Sequence, residues 1–424
     1  MLEIRLPTTM RNGGARLRRF AGTTPGAIGA VAVVAMVLCV LAGLTSADQL
    51  SGKIARREAV LEHTEPLAYA AQTLYVALSA ADAAAATAFL SGGIESPEVR
   101  EQYQQALAQA AAALAEATAG AADQQTRNIV AKVAADLPAY TGLVETARAN
   151  NRQGFPVGSS YLREASLLMQ NSLLPNAEML SKDRMAAVRQ DQHDIGALPW
   201  TTIVLLILVL ISCGVGTFVL LRRTNRRMNL GVVAAAGATA LALLWVVAGT
   251  IVAATALDTG KSGATSRFET LTQARILAQQ ARTDETLELI TRGDITSGET
   301  DYRRHTTELA DRLATVTGPD SAASRSVLGW TAGHARQREA YEAANYPAAV
   351  AQAIGTGADS SAILFAHLDQ LLRDNLIQER GALRDGIDSA GATLTLSPAG
   401  TLVLMFGAAV STVTGVWPRL KEFL

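Results

Sequence analysis

Residues 83–103 read AAAATAFLSGGIESPEVREQY, and residues 284–305 read DETLELITRGDITSGETDYRRH. Each is a helical stretch that ends in an apolar pair, a small residue and a glycine break, then restarts after a short acidic turn with a tyrosine. The correspondence extends outward from these two stretches. Leu90 and Gly93 match Ile290 and Gly293, and Tyr103 matches Tyr302. Tyr140 matches Tyr341, Ser159-Ser160 match Ser360-Ser361, and Pro199 matches Pro398. Upstream, Ala42-Gly43 match Ala248-Gly249 and Gly52-Lys53 match Gly260-Lys261, so the offset stays between 199 and 208. No single match in an alanine-rich helix means much, but a nearly constant offset through breaks and turns reads as an internal duplication.

What surrounds the copies is apolar. The chain has 424 residues, 49% hydrophobic and only 18% charged. Four stretches carry no Asp, Glu, Lys or Arg: 20–47, 195–221, 228–257 and 389–418. About 20 apolar residues cross a bilayer core, so each stretch is long enough to span. The expected spans are 26–47, 199–221, 230–254 and 397–417. Arg16, Arg18 and Arg19 followed by an apolar run and T-S-A (45–47) also fit a cleavable signal peptide. The run is long for a signal core, and the repeat pairs it with an internal span, so an uncleaved anchor is the expectation.

The short segments 1–25, 222–229 and 418–424 hold eleven basic residues against two acidic ones. Segment 48–198 holds 12 basic and 17 acidic residues, and 255–396 holds 14 and 19. Basic clusters on short connectors place those connectors in the cytosol. Both large segments are then extracytoplasmic, and the localisation is a multi-pass plasma-membrane protein. Trp200 and Trp417 sit where interfacial anchors would.

Inside each large segment the breaks divide an apolar 3- and 4-residue periodicity into four helices. In the first copy these are 48–90, about 98–119, roughly 123–150 with an irregularity at Leu137-Pro138, and a long fourth helix after QGFPVGSS (153–160). The second copy breaks at 292–298, 317–322 and 355–361. No segment sustains a period of two. The fold class is an all-α membrane protein with four spans and two tandem extracytoplasmic four-helix bundles. Helices that continue from spans put the breaks near 91–97 and 153–160 at the membrane-distal end.

Little in the sequence points to chemistry. Phosphate-loop, dinucleotide, H-E-x-x-H and C-x-x-C motifs are absent. Cys39 and Cys213 each lie inside an apolar run, which excludes a disulfide framework and a Cys-based zinc site. His63, His193, His305, His334 and His367 show no paired ligand spacing and are expected on solvated helix surfaces. Asp82, Glu98, Asp284 and Asp294 need be no more than solvated faces. The spans carry no ionisable side chain, which argues against transport. No enzyme, metal or cofactor is expected, and no nucleic acid.

In this layout of two outer four-helix segments, four spans and almost no cytosolic mass, the chain resembles the actinobacterial GlnX-type sensors. The resemblance covers the whole chain and rests on layout and helix breaks rather than on a short motif. It implies a transducer that takes an amino-acid signal of the Asp, Glu or Gln type from a GlnH-like periplasmic binding lipoprotein. The signal would pass to a PknG-like cytosolic serine/threonine kinase that controls nitrogen and glutamate metabolism. Each half also resembles the four-helix sensor domain of chemoreceptors, without their cytosolic rod. The docking surface expected for the lipoprotein is the set of distal tips: Ser91, Gly92, Gly93, Glu95 and Pro97, then Gly154, Phe155 and Pro156. In the second copy it is Arg292, Asp294, Gly298, Glu299 and Asp359. The expected cytosolic face is Arg222, Arg223, Arg226, Arg227, Arg419 and Lys421, which also suits anionic lipid of the bilayer. Two other readings stay open: direct binding of a small ligand, with Arg275, Arg282 and Arg292 as carboxylate-holding groups, and an accessory subunit of a transporter. A homodimer is compatible with each.

Overall fold

The computed structural model describes residues 24–92, 97–121, 123–224, 229–257, 260, 263–291 and 296–421. Those residues are all-helical, with no strand among them. In chain order the helices are α1 (Thr24–Ala59), α2 (Glu65–Leu90), α3 (Pro97–Ala119), α4 (Gln124–Arg152), α5 (Val157–Leu168), α6 (Leu174–Gly196) and α7 (Trp200–Thr224). They continue as α8 (Leu230–Leu257), α9 (Ala264–Thr291), α10 (Thr296–Val316), α11 (Ala322–Glu342), α12 (Tyr346–Ile354), α13 (Ser361–Leu394) and α14 (Ser397–Lys421). Single π-helical turns, Val60–Thr64 and Met169–Leu173, join α1 to α2 and α5 to α6.

The chain divides into two compact units. The first comprises Met1–Glu58, His193–Leu257 and Ile387–Leu424. Small side chains fill its centre: Cys39, Ala42, Ala235, Ala242 and Ala408 are all fully buried, with Leu206, Val209 and Met405 between them. The large apolar side chains point outward instead, among them Leu44, Ile211, Phe218, Leu244 and Phe406, each more than half exposed. In water such a surface is a liability; against lipid tails, small residues inside and large ones outside are the packing rule for membrane helices. Four helical stretches are long and apolar enough to cross a membrane: Gly29–Leu90, Val157–Val219, Leu230–Leu257 and Ser361–Pro418.

Hydrogen bonds between these helices are few and local. The Ser46 hydroxyl donates to Thr401 at 3.1 Å, and the Trp245 indole donates to Ser397 at 3.1 Å. Asn229 joins two helices by itself. Its side-chain oxygen accepts from the Gly231 amide at 3.1 Å, and its amide donates to the Gly415 carbonyl at 2.8 Å. There α8 and α14 cross so closely that a Cβ built on Gly231 would lie 2.3 Å from the Ser411 carbonyl oxygen and 2.5 Å from Gly415 Cα.

The second unit comprises Ala59–Gln192 and Asp258–Gly386. One core gathers Leu74 and Leu78 of α2, Tyr103 and Ala110 of α3, Val133 and Tyr140 of α4, and Leu162, Met169 and Leu173 of the fourth stretch. Another gathers Leu271 and Ala278 of α9, Tyr302 and Leu309 of α10, Val327 and Trp330 of α11, and Leu368 and Leu372 of α13. Helix α2 is buried on nearly every side, as its alanine-rich sequence permits. It lies against α9, and positions about 200 residues apart meet there: the Tyr69 and Phe268 rings stack at 6.5 Å, and Thr272 donates to Gln72 at 3.4 Å. Leu90 and Leu289 share a small cluster with Ala349 and Ala353 of α12.

Three details depart from the sequence reading. Helix α4 runs through Pro138 without a break. The first-copy helix expected as one piece over 48–90 contains a π-turn. The second copy has an additional short helix, α12, which Ala344 introduces with φ of 58° and Asn345 caps by accepting from the Ala348 amide. Pro347 at its first turn is an ordinary helix-start signal that the repeat pattern obscured.

The α8–α14 crossing is directly testable. Gly231→Leu is expected to cost about 1–3 kcal/mol by overpacking, read as a lower unfolding temperature of the full chain in detergent. Gly407→Leu, where a Cβ meets nothing within 4 Å, is expected to leave it unchanged. Equal stability of both variants would mean that the two backbones do not approach as described.

Candidate functional site

The α2–α9 pair carries two cavities on different faces. The first, about 370 Å³, is lined by Tyr69, Gln72, Thr73 and Val76 of α2, Phe268, Thr272 and Arg275 of α9, Gln109 of α3, and Arg373, Leu376, Ile377 and Arg380 of α13. Three guanidiniums therefore face two aromatic rings and an apolar wall. Arg380 lies 3.5 Å over the Tyr69 ring centroid and donates to Glu65 at 2.7 Å, and Arg384 donates to the other Glu65 oxygen. Arg275 forks onto Asp369 at 2.8 and 3.2 Å, and Arg373 reaches the same carboxylate at 2.7 Å. Burial pushes Asp369 up, but Arg275 and Arg373 outweigh it and hold the carboxyl below its usual range. Four arginines against two carboxylates leave a surplus of positive charge at this cavity. The volume falls in the range of small-molecule sites, and guanidiniums beside apolar walls are the groups that orient a carboxylate ligand.

The second cavity, about 240 Å³, is polar. Ser79 and Asp82 of α2 face Gln280, Thr283 and Asp284 of α9 across it, with Glu178, Asp301, Arg304 and His305 around them. Asp82 accepts from Ser166 at 2.7 Å and from Tyr140 at 3.3 Å, and burial raises its pKa to about 6. Burial likewise raises Asp284, which pairs with His305 at 2.7 Å.

A third cluster sits within the second-copy core. Glu285, fully buried, receives Arg282 at 2.5 Å and the Trp330 indole at 3.2 Å, and faces His334 Nδ1 at 3.3 Å. His334 Nε2 lies 3.0 Å from Glu299, and Arg338 reaches the other Glu299 oxygen at 2.9 Å. Burial opposes charge on Glu285, but Arg282 and His334 override it and hold the carboxyl near 2. Burial also lowers His334, but hydrogen bonds to Glu285 and Glu299 prevail and lift it to about 9. Burial pushes Glu288 up to about 7. Glu288, Glu299 and His334 place one ligand atom each within 4.8 Å of one another, a spacing that could hold a metal ion. An open cavity of about 440 Å³ borders Glu299, Tyr302 and His334.

These positions overturn part of the sequence reading. Asp82 and His334, expected on solvated faces, are each 4% exposed, because their partners come from helices far away in sequence. Arg282, read as a free carboxylate-binding group, is spent on Glu285, and Arg275 is shared with Asp369. The phase of α9 carries the signal: Leu271, Ala274, Ala278, Ala281, Glu285 and Glu288 follow one another in steps of three and four, so the carboxylates continue the core stripe.

The expected docking residues are placed as follows. Ser91 ends α2, its hydroxyl donating to the Ala88 carbonyl at 2.7 Å, and Gly92 has a φ of 86°. Pro97 begins α3 and is exposed. Gly154 turns the chain with a φ of 72°, Phe155 is 53% exposed, and Pro156 is exposed. Asn151 bonds the Phe89 carbonyl at 2.8 Å, which brings these two breaks together. Asp359 is exposed, and its carbonyl accepts from Arg336 at 2.8 Å. Gly298 lies inside α10 beside Glu288, and Glu299 turns inward to His334, so neither belongs to an exposed tip. Gly93, Glu95, Arg292 and Asp294 lie outside the described residues, as do Arg226 and Arg227. Arg222 lies 4.6 Å over the Phe218 ring. Arg223, Arg419 and Lys421 fall in α7 and α14, their side chains outside the described atoms.

Asp82 generates a prediction with a definite sign. Its folded pKa of about 6 lies above the ordinary 3.8, so its contribution to stability is fully present below about 3.8 and is lost as pH rises through about 6. The difference of about two units corresponds to about 3 kcal/mol. Thermal unfolding across that window is expected to show a stability decline in the wild type that is flattened in Asp82→Asn. An identical pH slope in the two proteins would count against a buried protonated carboxyl.

Comparison with known proteins adds one match. Residues 56–193 fit the family model described as the actinobacterial sensor domain. The match supports an actinobacterial sensor protein with a sensing and signalling role. It falls on the first of the two large segments between the apolar runs. No curated protein matches the chain, and no solved structure does.

Proposed function

We propose that this chain is a transmembrane signal transducer whose outer helical unit senses a small carboxylate-bearing metabolite of the amino-acid class. The cavity between α2 and α9 carries this reading: three guanidiniums, two stacked aromatic rings and an apolar wall are contributed jointly by both copies. The match of residues 56–193 to a sensor domain supports the signalling half of the reading. Carboxylate recognition follows from the surplus of arginine, and side-chain selection from the wall of Val76, Leu376 and Ile377. A ligand there would draw α13 toward the α2–α9 pair. Helix α13 is unbroken from Ser361 to Leu394 and α14 begins three residues later, so such a shift has a rigid element to travel along. The excess of basic residues on the short connectors supports an arrangement with the sensing unit outside and the short segments in the cytosol.

A relay reading has its own observation. The turns at Ser91-Gly92 and Gly154-Pro156 lie together and leave Phe155 and Val157 about half exposed, which suits a docked lipoprotein. Its output would go to a cytosolic serine/threonine kinase at the basic connectors.

The test is titration of the full chain in nanodiscs with free Asp, Glu, Gln and Asn, followed by calorimetry. Saturable binding is expected, weakened about tenfold or more in Arg380→Met, the scale of one charge-assisted hydrogen bond. If binding appears only when a ligand-loaded lipoprotein is added, and survives Arg380→Met but not Phe155→Asp, the relay reading replaces direct sensing. No response in either arm would overturn amino-acid sensing.

A further inference from the structure

The cluster of Glu285, Glu288, Glu299 and His334 is built differently from an ordinary buried ion pair. Three carboxylates converge on one imidazole, with Arg282 and Arg338 beside them and the more exposed Arg303 reaching Glu299 at 3.4 Å. Each ring nitrogen has a distinct neighbour. Nδ1 faces Glu285 at 3.3 Å, and Nε2 faces Glu299 at 3.0 Å. Glu285 is itself held by Arg282 and Trp330, so it serves to fix the ring. Glu285 thus sets a carboxylate 3.3 Å from Nδ1 without a hydrogen bond to it, and Nε2 is left toward Glu299. Nε2 and the Glu299 oxygen, hydrogen-bonded at 3.0 Å, stand at the spacing of two ligands about 90° apart and about 2.1 Å from one ion, and a tetrahedral pair would open to about 3.4 Å. Glu288 completes a set of three ligand atoms within 4.8 Å of one another.

A second observation points to a ligand at the same place. The Tyr302 ring stacks on His334 at 3.8 Å, the residue is 2% exposed, and its hydroxyl has no hydrogen-bond partner among the described residues. Tyr302 borders the same cavity as Glu299 and His334, so a water carried by an ion there would give the hydroxyl its missing partner. That cavity also supplies a route of entry.

We propose that Glu288, Glu299 and His334 bind one divalent transition-metal cation of the Zn²⁺ or Mn²⁺ class, with Glu285 and Arg338 as positioning residues. One nitrogen and carboxylate oxygens suit these ions. The ion would clamp α9, α10 and α11 at the polar centre of the second copy. Among the described residues the first copy shows no corresponding set, and its buried Asp82 is met by Ser166 and Tyr140. The assignment is independent of the carboxylate cavity, since no residue is shared between them.

The test uses the full chain in detergent, stripped with chelator, dialysed against ZnCl₂ or MnCl₂, and assayed for bound metal by mass spectrometry. One ion per chain is expected. Glu288→Gln and His334→Gln are expected to lose it, Glu285→Gln to bind about 10–100-fold more weakly, and Glu339→Gln, exposed in the same cavity, to bind as the wild type does. X-ray absorption of the loaded wild type is expected to show a nitrogen/oxygen shell containing one imidazole, a readout independent of how the variants fold. Absence of metal uptake would overturn the proposal and leave a protonated His334 as the neutralising charge. Uptake unchanged in both Glu288→Gln and His334→Gln, or a shell without imidazole, would overturn it by placing the ion elsewhere.

Discussion

The contact on which the second unit depends is the lengthwise pairing of α2 with α9. Helix α2 is rich in alanine, which lets backbones approach but buries little area per residue, at roughly 25 cal/mol per Å². Cohesion must therefore come partly from elsewhere. The Tyr69–Phe268 stack, the Thr272–Gln72 bond and the shared Leu90–Leu289 cluster provide it. Residues about 200 positions apart touch each other along it. Both cavities flanking the seam draw walls from each copy.

Around that seam the two copies use polar burial differently. The first hides one carboxyl, Asp82, satisfied by two hydroxyls. The second hides a charged network of Arg282, Glu285, His334 and Glu299. Such a network adds little net stability over apolar packing, yet removing one member strands the others, so it penalises any rearrangement that separates α9, α10 and α11.

Much of this was legible in the sequence. Charge-free runs announced the four membrane-length helices, and glycine and serine breaks announced most helix ends, because both signals are local. The buried charges were not legible as such. His334 answers to Glu299, 35 residues away, and to Glu285, 49 residues away, and nothing near it in sequence names either partner. The clue lay in phase: Glu285 and Glu288 fall on the stripe begun by Ala274, Ala278 and Ala281, a position where an unpaired carboxylate would be costly. Pro138 misled in the opposite direction, since α4 passes through it unbroken. Of the α2–α9 cavity the sequence names only Arg275, for the other arginines lie on α13, nearly 100 residues away.

The π-turn at Met169–Leu173 has a further meaning. Ala165, Met169, Leu173 and Ala177, all fully buried, follow one another in steps of four, and three such steps overrun three turns of 3.6 residues by about one residue. A wider turn absorbs that residue and keeps all four on one face. The same surplus is visible between the copies: 39 residues separate Ser160 from Pro199, but 37 separate Ser361 from Pro398. Near the other π-turn, Gly52 and Leu90 stand 38 apart, against 30 for Gly260 and Ile290. The longer copy holds its excess in the two helical stretches that contain π-turns. The two stretches of the first segment that contain π-turns are thus each longer than the stretches of the second segment set against them.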